Sequence, residues 1–173
     1  MRPSLYFISL ITIISLCSCK ESLTDYATKW TQDIKAKIIE DSNKKSDSTA
    51  YDSVRHGMAL FSKGVRLKSF GISPETKDTL TSSFYSPDQN FKLVRELCPL
   101  LNDEWVEVIA YKDSIVGLHE FYYCNGKIKQ RGFNVNGKIG VWTEYNAQGN
   151  IVKETDNGNI DRLEKLKAIK YYR

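Results

Sequence analysis

GLHEFYYCNGKI at residues 117–128 and GVWTEYNAQGNI at residues 140–151 are two copies of one pattern, and they decide the fold of this chain. The second copy begins 23 residues after the first. Equivalent positions hold the same residue in four pairs: Gly117 and Gly140, Tyr122 and Tyr145, Gly126 and Gly149, Ile128 and Ile151. Because self-similarity at a fixed spacing is typical of a repeated supersecondary unit, we predict that one structural unit recurs here.

Turn dipeptides separate short runs of strand length in this region. Asparagine or glutamine followed by glycine accepts positive φ in tight hairpin turns, and glutamine does so less well. The predicted repeat turn glycines are Gly126, Gly137, Gly149 and Gly158. The predicted strands between them are residues 127–133, 140–145 and 151–155. We therefore predict an antiparallel β-hairpin meander, folded as one curved sheet that is covered by its aromatic side chains.

This region resembles the MORN-variant repeats of bacteria, whose pattern is close to Tyr-x-x-x-Gly-Lys-apolar, a second turn glycine and Gly-x-Trp-x-x-Tyr. The matching positions are Tyr122, Gly126, Lys127, Ile128, Gly137, Lys138, Gly140, Trp142 and Tyr145. The first copy departs from the pattern at His119, where the second copy has Trp142. The clear resemblance covers about a quarter of the chain. Proteins with such repeats are often labelled YwqK-like antitoxin components, so the resemblance implies a protein that binds and neutralises another protein.

Three aromatic residues of the repeats are candidate partner-binding residues: Tyr122, Trp142 and Tyr145. A row of tyrosine and tryptophan on a sheet offers the kind of side chain that dominates protein interfaces. The alternative is that the rings pack against one another and form the core, and we favour it, most strongly for Trp142.

The amino terminus has the features of an export signal. Met1 and Arg2 precede an apolar run over residues 5–16, which is too short to span a bilayer as a helix. The end of this run, with Leu16 and Ser18 before Cys19, resembles a bacterial lipobox. The resemblance implies that residues 1–18 are a lipoprotein signal peptide. It also implies that Cys19 carries a diacylglycerol and usually an N-linked acyl chain such as palmitate.

Composition and charge indicate which classes of partner to expect. The formal net charge is +4 and the basic residues are spread along the chain, so we expect no nucleic-acid partner. Residues after the signal contain no apolar stretch of membrane-spanning length. We therefore expect a chain that the lipid anchor holds on a membrane of the bacterial cell envelope, the outer membrane being favoured, with an unknown protein partner.

The rest of the chain divides into a helix with a linker and a β-rich domain. Residues 19–53 are predicted to contain the lipid anchor, an amphipathic helix over residues 22–40 and a polar linker over residues 41–53. The apolar stripe of the helix packs on the domain or lies on the membrane or a partner, and we favour packing. Its members are Leu23, Tyr26, Ala27, Trp30, Ile34 and Ile38.

Residues 54–173 form the predicted β-rich domain, so the fold class is mainly β (α+β), with the helix preceding the sheet. Alternation predicts a strand at residues 65–70, and residues 105–111 predict a central strand. Residues 91–97 suit a helical turn or a strand. Residues 159–173 suit a short helix or a last strand.

We find no catalytic set that we favour over a structural explanation. Asp52, Ser53 and His56 are close in sequence, but a triad is made by geometry. Strand glutamates can pair as glycosidase acids do, although exposed glutamates are far commoner. These glutamates are Glu104, Glu107, Glu120 and Glu144. We expect no cofactor and no metal site.

Two cysteines follow the anchor, Cys98 and Cys124, and the sequence leaves open whether they form a disulfide. Taken together, the sequence predicts a non-enzymatic envelope lipoprotein that binds a protein partner through a β-hairpin repeat surface. An immunity or antitoxin role is the first alternative. An enzyme acting on envelope glycans is the second.

Overall fold

The computed structural model describes residues 22–53, 56–101 and 104–172, with the backbone alone described at residues 97–101 and 104. Within these ranges, the first element is helix α1 (Leu23–Ser42) and the last is a 3₁₀ helix (Ile160–Ala168). Ten strands lie between them: β1 (Ser48–Asp52), β2 (Gly57–Ser62), β3 (Val65–Ile72), β4 (Thr79–Tyr85), β5 (Phe91–Leu101), β6 (Glu104–Tyr111), β7 (Ser114–Tyr123), β8 (Ile128–Val135), β9 (Lys138–Tyr145) and β10 (Ile151–Asp156).

The strands of the described residues form one antiparallel sheet in which each strand pairs with the next along the chain. The sheet order is therefore the sequence order, β1 to β10, and the two edges are β1 and β10. The predicted hairpin meander is confirmed. It also extends well beyond the repeat, because six strands, β1 to β6, precede β7, in which the repeat begins.

The repeat turns have the conformation that their glycines predict. The φ angles are +82° at Gly126, +117° at Gly137, +95° at Gly149 and +60° at Gly158. Asn136 also has positive φ, at +54°, as a two-residue hairpin turn between β8 and β9 requires. Gly158 differs in its role, because it leads from β10 into the 3₁₀ helix and not into another strand.

Helix α1 packs on one face of the sheet. The side chain of Ser22 caps the helix by accepting a hydrogen bond from the amide N–H of Asp25 at 3.1 Å. The buried apolar residues of the helix are Ala27, Trp30, Ile34 and Ile38. They share one core with sheet residues such as Phe91, Leu93, Ile109 and Leu118. Of the two alternatives for the stripe, the structure therefore has packing on the sheet.

The predicted polar linker over residues 41–53 is wrong in part. Helix α1 continues to Ser42, and residues 48–52 form β1. Every side chain of β1 is exposed, because the strand lies at the edge of the sheet. A strand held by backbone pairing alone leaves no apolar alternation in the sequence, and this explains the error.

The two ambiguous segments are also resolved. Residues 91–97 belong to strand β5, and the end of the chain forms the 3₁₀ helix, whose Leu163 and Leu166 are buried in the core. Within the described ranges, no helix has the length and apolar character needed to cross a membrane.

Candidate partner-binding site

The three candidate aromatic residues do not form one row. Tyr122 lies on the face of the sheet that carries Leu118 and Glu120, the face covered by helix α1. Trp142 contacts His119, whose position between Leu118 and Glu120 places it on the opposite face. Strand alternation explains this separation, because His119, the counterpart of Trp142 in the first repeat, lies three residues before Tyr122 on β7.

Tyr122 is a half-buried structural residue. Its ring stacks on Trp105 with centroids 3.9 Å apart, and its hydroxyl donates to Glu120 Oε2 at 2.8 Å. Burial raises the pKa of Tyr122 above its ordinary value, and the Glu120 carboxylate raises it further. The hydroxyl is therefore a fixed hydrogen-bond donor within the sheet.

Trp142 is part of the interior, which agrees with the favoured alternative that its ring forms the core and not a partner-binding surface. Its side chain is 2% exposed, and the indole N–H donates to the carbonyl oxygen of Phe133 at 3.0 Å. The ring lies directly over Gly132, where a Cβ atom would collide with it. The ammonium of Lys138 covers the ring at 4.1 Å from its centroid.

Tyr145 lines a surface groove on the face opposite helix α1. The groove has a volume of about 500 Å³ and runs over β7, β8, β9 and β10. Its lining includes Phe121, Tyr123, Gln130, Glu144, Tyr145 and Val152. Apolar rings with a few convergent polar groups are typical of ligand and peptide sites.

Two hydrogen bonds shape this groove. The hydroxyl of Tyr123 donates to the carbonyl oxygen of Tyr145 at 2.8 Å, and Gln130 Nε2 donates to Glu144 Oε1 at 3.3 Å. Sequence reasoning missed Phe121, Tyr123 and Val152 as site residues. The alternation of Phe121 and Tyr123 along β7 was a usable signal, since it places both rings on one face.

Strand β10 forms one wall of the groove and is an open edge of the sheet. All six of its residues are exposed, and Ile151 and Val152 are 60% and 64% exposed. Val141 on the neighbouring strand β9 is 49% exposed. An edge strand leaves half of its backbone N–H and C=O groups without a partner strand. This end of the sheet therefore offers apolar side chains and backbone hydrogen-bonding groups together.

Two of the predicted glutamates form a buried ionic cluster. Glu107 and Glu120 face each other on β6 and β7. Lys35 of helix α1 lies 2.5 Å from Glu107 Oε1 and 3.5 Å from Glu120 Oε2. Arg95 Nε lies 2.5 Å from Glu107 Oε2. We call Lys35, Arg95, Glu107 and Glu120 the Lys35 clamp, because the lysine ties the helix to two strands.

The Lys35 clamp keeps Glu107 ionised. Burial alone would raise the pKa of Glu107, but hydrogen bonds and charge from Lys35 and Arg95 outweigh burial and lower the pKa below its ordinary value. A general acid needs a raised pKa, so the lowered pKa of Glu107 suits a structural ion pair. Glu144 lies on the other face in the groove, and the side chain of Glu104 is outside the described residues.

His119 is a buried histidine whose Nδ1 has no hydrogen-bond partner among the described residues. Its ring stacks on Phe121 at 4.7 Å and meets Trp142 edge-on at 5.6 Å. Burial lowers the pKa of His119 from 6.5 to about 4, and the charge of Lys138 contributes to the same shift. The imidazole is therefore neutral at neutral pH.

The other residues considered for catalysis, metal binding or covalent modification lie outside the groove and the Lys35 clamp, or outside the described residues. Asp52 and Ser53 are exposed at the end of β1, and His56 follows in the turn to β2. No cluster of three or more histidine, cysteine or acidic side chains suited to a metal ion occurs in the described part of the chain. Cys124 is disulfide-bonded, whereas the side chain of Cys98 and the lipidation site Cys19 lie outside the description.

No protein-family model matches this sequence, and no curated protein matches it. Among solved structures, the chain is similar to S. aureus TarM, crystallised as a mutant in complex with fondaparinux, alpha-GlcNAc-glycerol and UDP. The identity is 12%, the match covers 81% of this chain and 26% of that chain, and the TM-score is 0.38. This chain thus spans about a quarter of the TarM chain, and a similarity this low carries no conclusion about fold or function.

Proposed function

We propose that this chain is a non-enzymatic lipoprotein of the bacterial cell envelope that binds a protein partner at the β10 end of its hairpin sheet. The observation that carries the proposal is the complete exposure of β10, an edge strand with two large aliphatic side chains in solvent. An open edge strand presents backbone N–H and C=O groups that can pair with a strand of another chain. An open edge that also carries two exposed aliphatic side chains is suited to a partner.

The other edge of the sheet is the competing surface. Strand β1 is also exposed along its whole length, and a cavity of about 370 Å³ adjoins it. Its large exposed apolar residue is Tyr51, at 61%. At the opposite edge, Ile151 and Val152 are adjacent to each other and to the aromatic groove. Strand β10 therefore exposes two large aliphatic side chains where β1 exposes one tyrosine, and burial of apolar side chains drives association.

The proposed anchor lies close to this domain. Helix α1 begins at Leu23, four residues after the proposed lipidation site Cys19. Four extended residues span at most about 14 Å, so a lipid on Cys19 holds the start of the helix near the membrane surface. Because helix α1 packs on the sheet, the lipid would tether the sheet to the membrane. A partner in or on the same membrane is then within reach.

Crosslinking of native membranes tests the proposal. The full-length protein carries an affinity tag at its carboxyl terminus and is compared with Val152→Glu at β10 and with Tyr51→Glu at β1. We expect reproducible capture of one partner by the wild type and by Tyr51→Glu, and strongly reduced capture by Val152→Glu. Failure to capture any reproducible partner argues against the binding function. Equal capture by all three proteins argues against both sheet edges as the surface.

A further inference from the structure

We infer that the partner contributes an extended peptide that joins the sheet as an additional strand, antiparallel to β10. Its basic side chains lie opposite Glu154 and Asp156, and a bulky apolar side chain enters the groove beside Val152. This inference rests on the proposed function, since it specifies how the protein partner is bound.

The backbone of β10 selects an extended peptide. Residues of an edge strand alternately direct their N–H and C=O groups toward the neighbouring strand and away from it. In β10 the inward groups pair with β9, through contacts that include Thr155 opposite Trp142 and Glu154 opposite Thr143. The outward groups face solvent along an entirely exposed strand. An added strand satisfies these groups, and main-chain hydrogen bonds of this kind supply affinity in strand addition.

Charge on β10 specifies the partner further. Glu154 and Asp156 are two residues apart and so lie on the same face of the strand. Glu154 accepts a hydrogen bond from Thr143 at 3.4 Å, and Asp156 accepts one from the amide of Gly158 at 2.8 Å. Within the described residues neither carboxylate has a basic ion-pair partner. Lysine or arginine at alternate positions of the added strand supplies the missing charge.

The groove lies on the other face of the same edge. Glu144 lines the groove, whereas Thr143, its chain neighbour, pairs with Glu154 and points the opposite way. A bulge between Ile151 and Lys153 brings Val152 into the groove wall. An apolar side chain from the added strand can therefore reach the groove lined by Phe121 and Tyr123 while the basic side chains remain on the acidic face.

The direction of the peptide follows from these positions. In antiparallel pairing, the start of the added strand lies opposite Asp156 and its end lies opposite Val152. The peptide therefore begins with two basic residues at alternate positions. Its apolar residue comes later, on the opposite face. A parallel added strand requires the apolar residue before the basic residues. Comparing peptides with the two orders therefore shows in which direction the added strand runs.

A synthetic peptide provides the probe. It has eight residues, capped ends and a fluorophore, with lysine at its second and fourth positions, phenylalanine at its fifth and seventh, and threonine elsewhere. Binding to the full-length protein in detergent is followed by fluorescence anisotropy. We expect the reversed sequence to bind at least about tenfold more weakly, as does a peptide with both phenylalanines changed to alanine, because truncating a buried aromatic anchor costs about a factor of ten.

N-methylation of the peptide tests the backbone contacts without changing the protein. Alternate amides of a strand point to opposite sides, so two peptides are made, each methylated on one alternate set. One set faces β10, and its methylation should abolish binding. Methylation of the other set should change affinity by less than about threefold. Equal effects of the two sets overturn the added strand.

Charge reversal on the protein tests the acidic face. The double variant Glu154→Lys, Asp156→Lys should bind the probe at least about tenfold more weakly. The matched control is Glu75→Lys, Asp78→Lys, which makes the same charge change on exposed side chains between β3 and β4. The control should bind as the wild type does. Equal weakening in both variants shows only a general charge effect and overturns the assignment to β10.

The remaining outcomes separate this inference from the proposed function. Absence of probe binding at millimolar concentration overturns the peptide chemistry assigned to the edge. Partner capture from membranes that the charge-reversed β10 variant retains in full overturns the inference as well, and the binding function then stands at another surface. Failure of capture by the wild type removes the proposed function itself.

Discussion

Gly117 of β7 lies directly beneath Thr31 of helix α1. A methyl group on the glycine would come 2.5 Å from Thr31 Oγ1, and this oxygen accepts a hydrogen bond from the amide of Leu118 at 2.9 Å. Gly140, the equivalent residue of the second repeat, lies beneath Ile160 of the 3₁₀ helix, with a corresponding distance of 2.8 Å. Both glycines have positive φ. The repeated glycine is thus the position at which a helix approaches the sheet.

Replacing Gly117 by alanine should destabilise the protein by about 3 kcal/mol, from overpacking against the helix and backbone strain at positive φ. The matched control is Gly126→Ala, which has a similar φ of +82° and open space around it. The control should lose only about 1 kcal/mol, from strain alone. Urea unfolding measures both changes. Equal losses would show that the contact with Thr31 adds nothing.

The turn glycines and the alternation of β3, β6 and the repeat predict five of the ten strands in the described residues, because these signals are local properties of the sequence. Strand β1 escapes prediction because an exposed edge strand has no apolar face. β-Bulges also limit prediction from sequence, because one extra residue in a strand moves every later side chain of that strand to the opposite face of the sheet. The sequence also does not show which face each ring leaves exposed, whereas the structure buries Trp142 and assembles the groove from Tyr145 with Phe121 and Tyr123.

The Lys35 clamp should contribute measurably to stability. In Glu107→Gln, Lys35 and Arg95 lose their shared carboxylate, and we expect a loss of about 2–3 kcal/mol because Glu107 and Lys35 are 10% and 16% exposed. The control is Glu164→Gln, which breaks the pair with Lys167 at 49–52% exposure and should change stability by at most about 0.5 kcal/mol. Chemical unfolding at neutral pH compares the two. Equal losses of stability in the two variants would show that the Lys35 clamp contributes no more than an exposed ion pair.

Lowering the pH should weaken the ion pairs that Glu107 forms with Lys35 and Arg95. The pKa of Glu107 in the folded protein lies below its ordinary value of 4.5, so the unfolded chain takes up the proton first as pH falls. The stabilisation is complete above pH 4.5 and disappears as pH falls through the folded-state pKa. Unfolding free energy measured at several pH values below 5 should therefore fall more steeply for the wild type than for Glu107→Gln. Parallel curves would contradict this assignment.

His119 should make the unfolding free energy depend on pH in a second, higher pH range. Its pKa is lowered from 6.5 to about 4 in the folded protein, so between these values the unfolded chain binds a proton that the folded protein excludes. Stability should decline as pH falls from 6.5 to 4, by up to about 3 kcal/mol. In His119→Phe, this decline should vanish, as unfolding titrations at pH 7 and pH 5 would show. An unchanged decline would place its origin in other groups.

Substitutions of Trp142 and Tyr145 should distinguish an effect on protein stability from an effect on partner binding. Trp142→Ala removes a side chain that is 2% exposed and should cost about 3–5 kcal/mol. Tyr145→Ala removes a half-buried ring but keeps the carbonyl that accepts the Tyr123 hydroxyl, so it should cost about 1 kcal/mol. Unfolding curves give both values, and partner capture should suffer in Tyr145→Ala at temperatures where that variant is folded. Full capture by folded Tyr145→Ala would remove the groove from the binding surface.

The proposed anchor is tested by intact mass and membrane fractionation of the native protein beside Cys19→Ala. The wild type should begin at Cys19, carry a lipid-sized mass increment and sediment with membranes, because several acyl chains at about 0.8 kcal/mol per buried methylene give durable attachment. The variant should lose both the increment and the membrane association. Its folding should be unaffected, since Cys19 precedes the cap residue Ser22 of helix α1. An unlipidated wild-type protein in the soluble fraction would move the search for its partner away from the membrane.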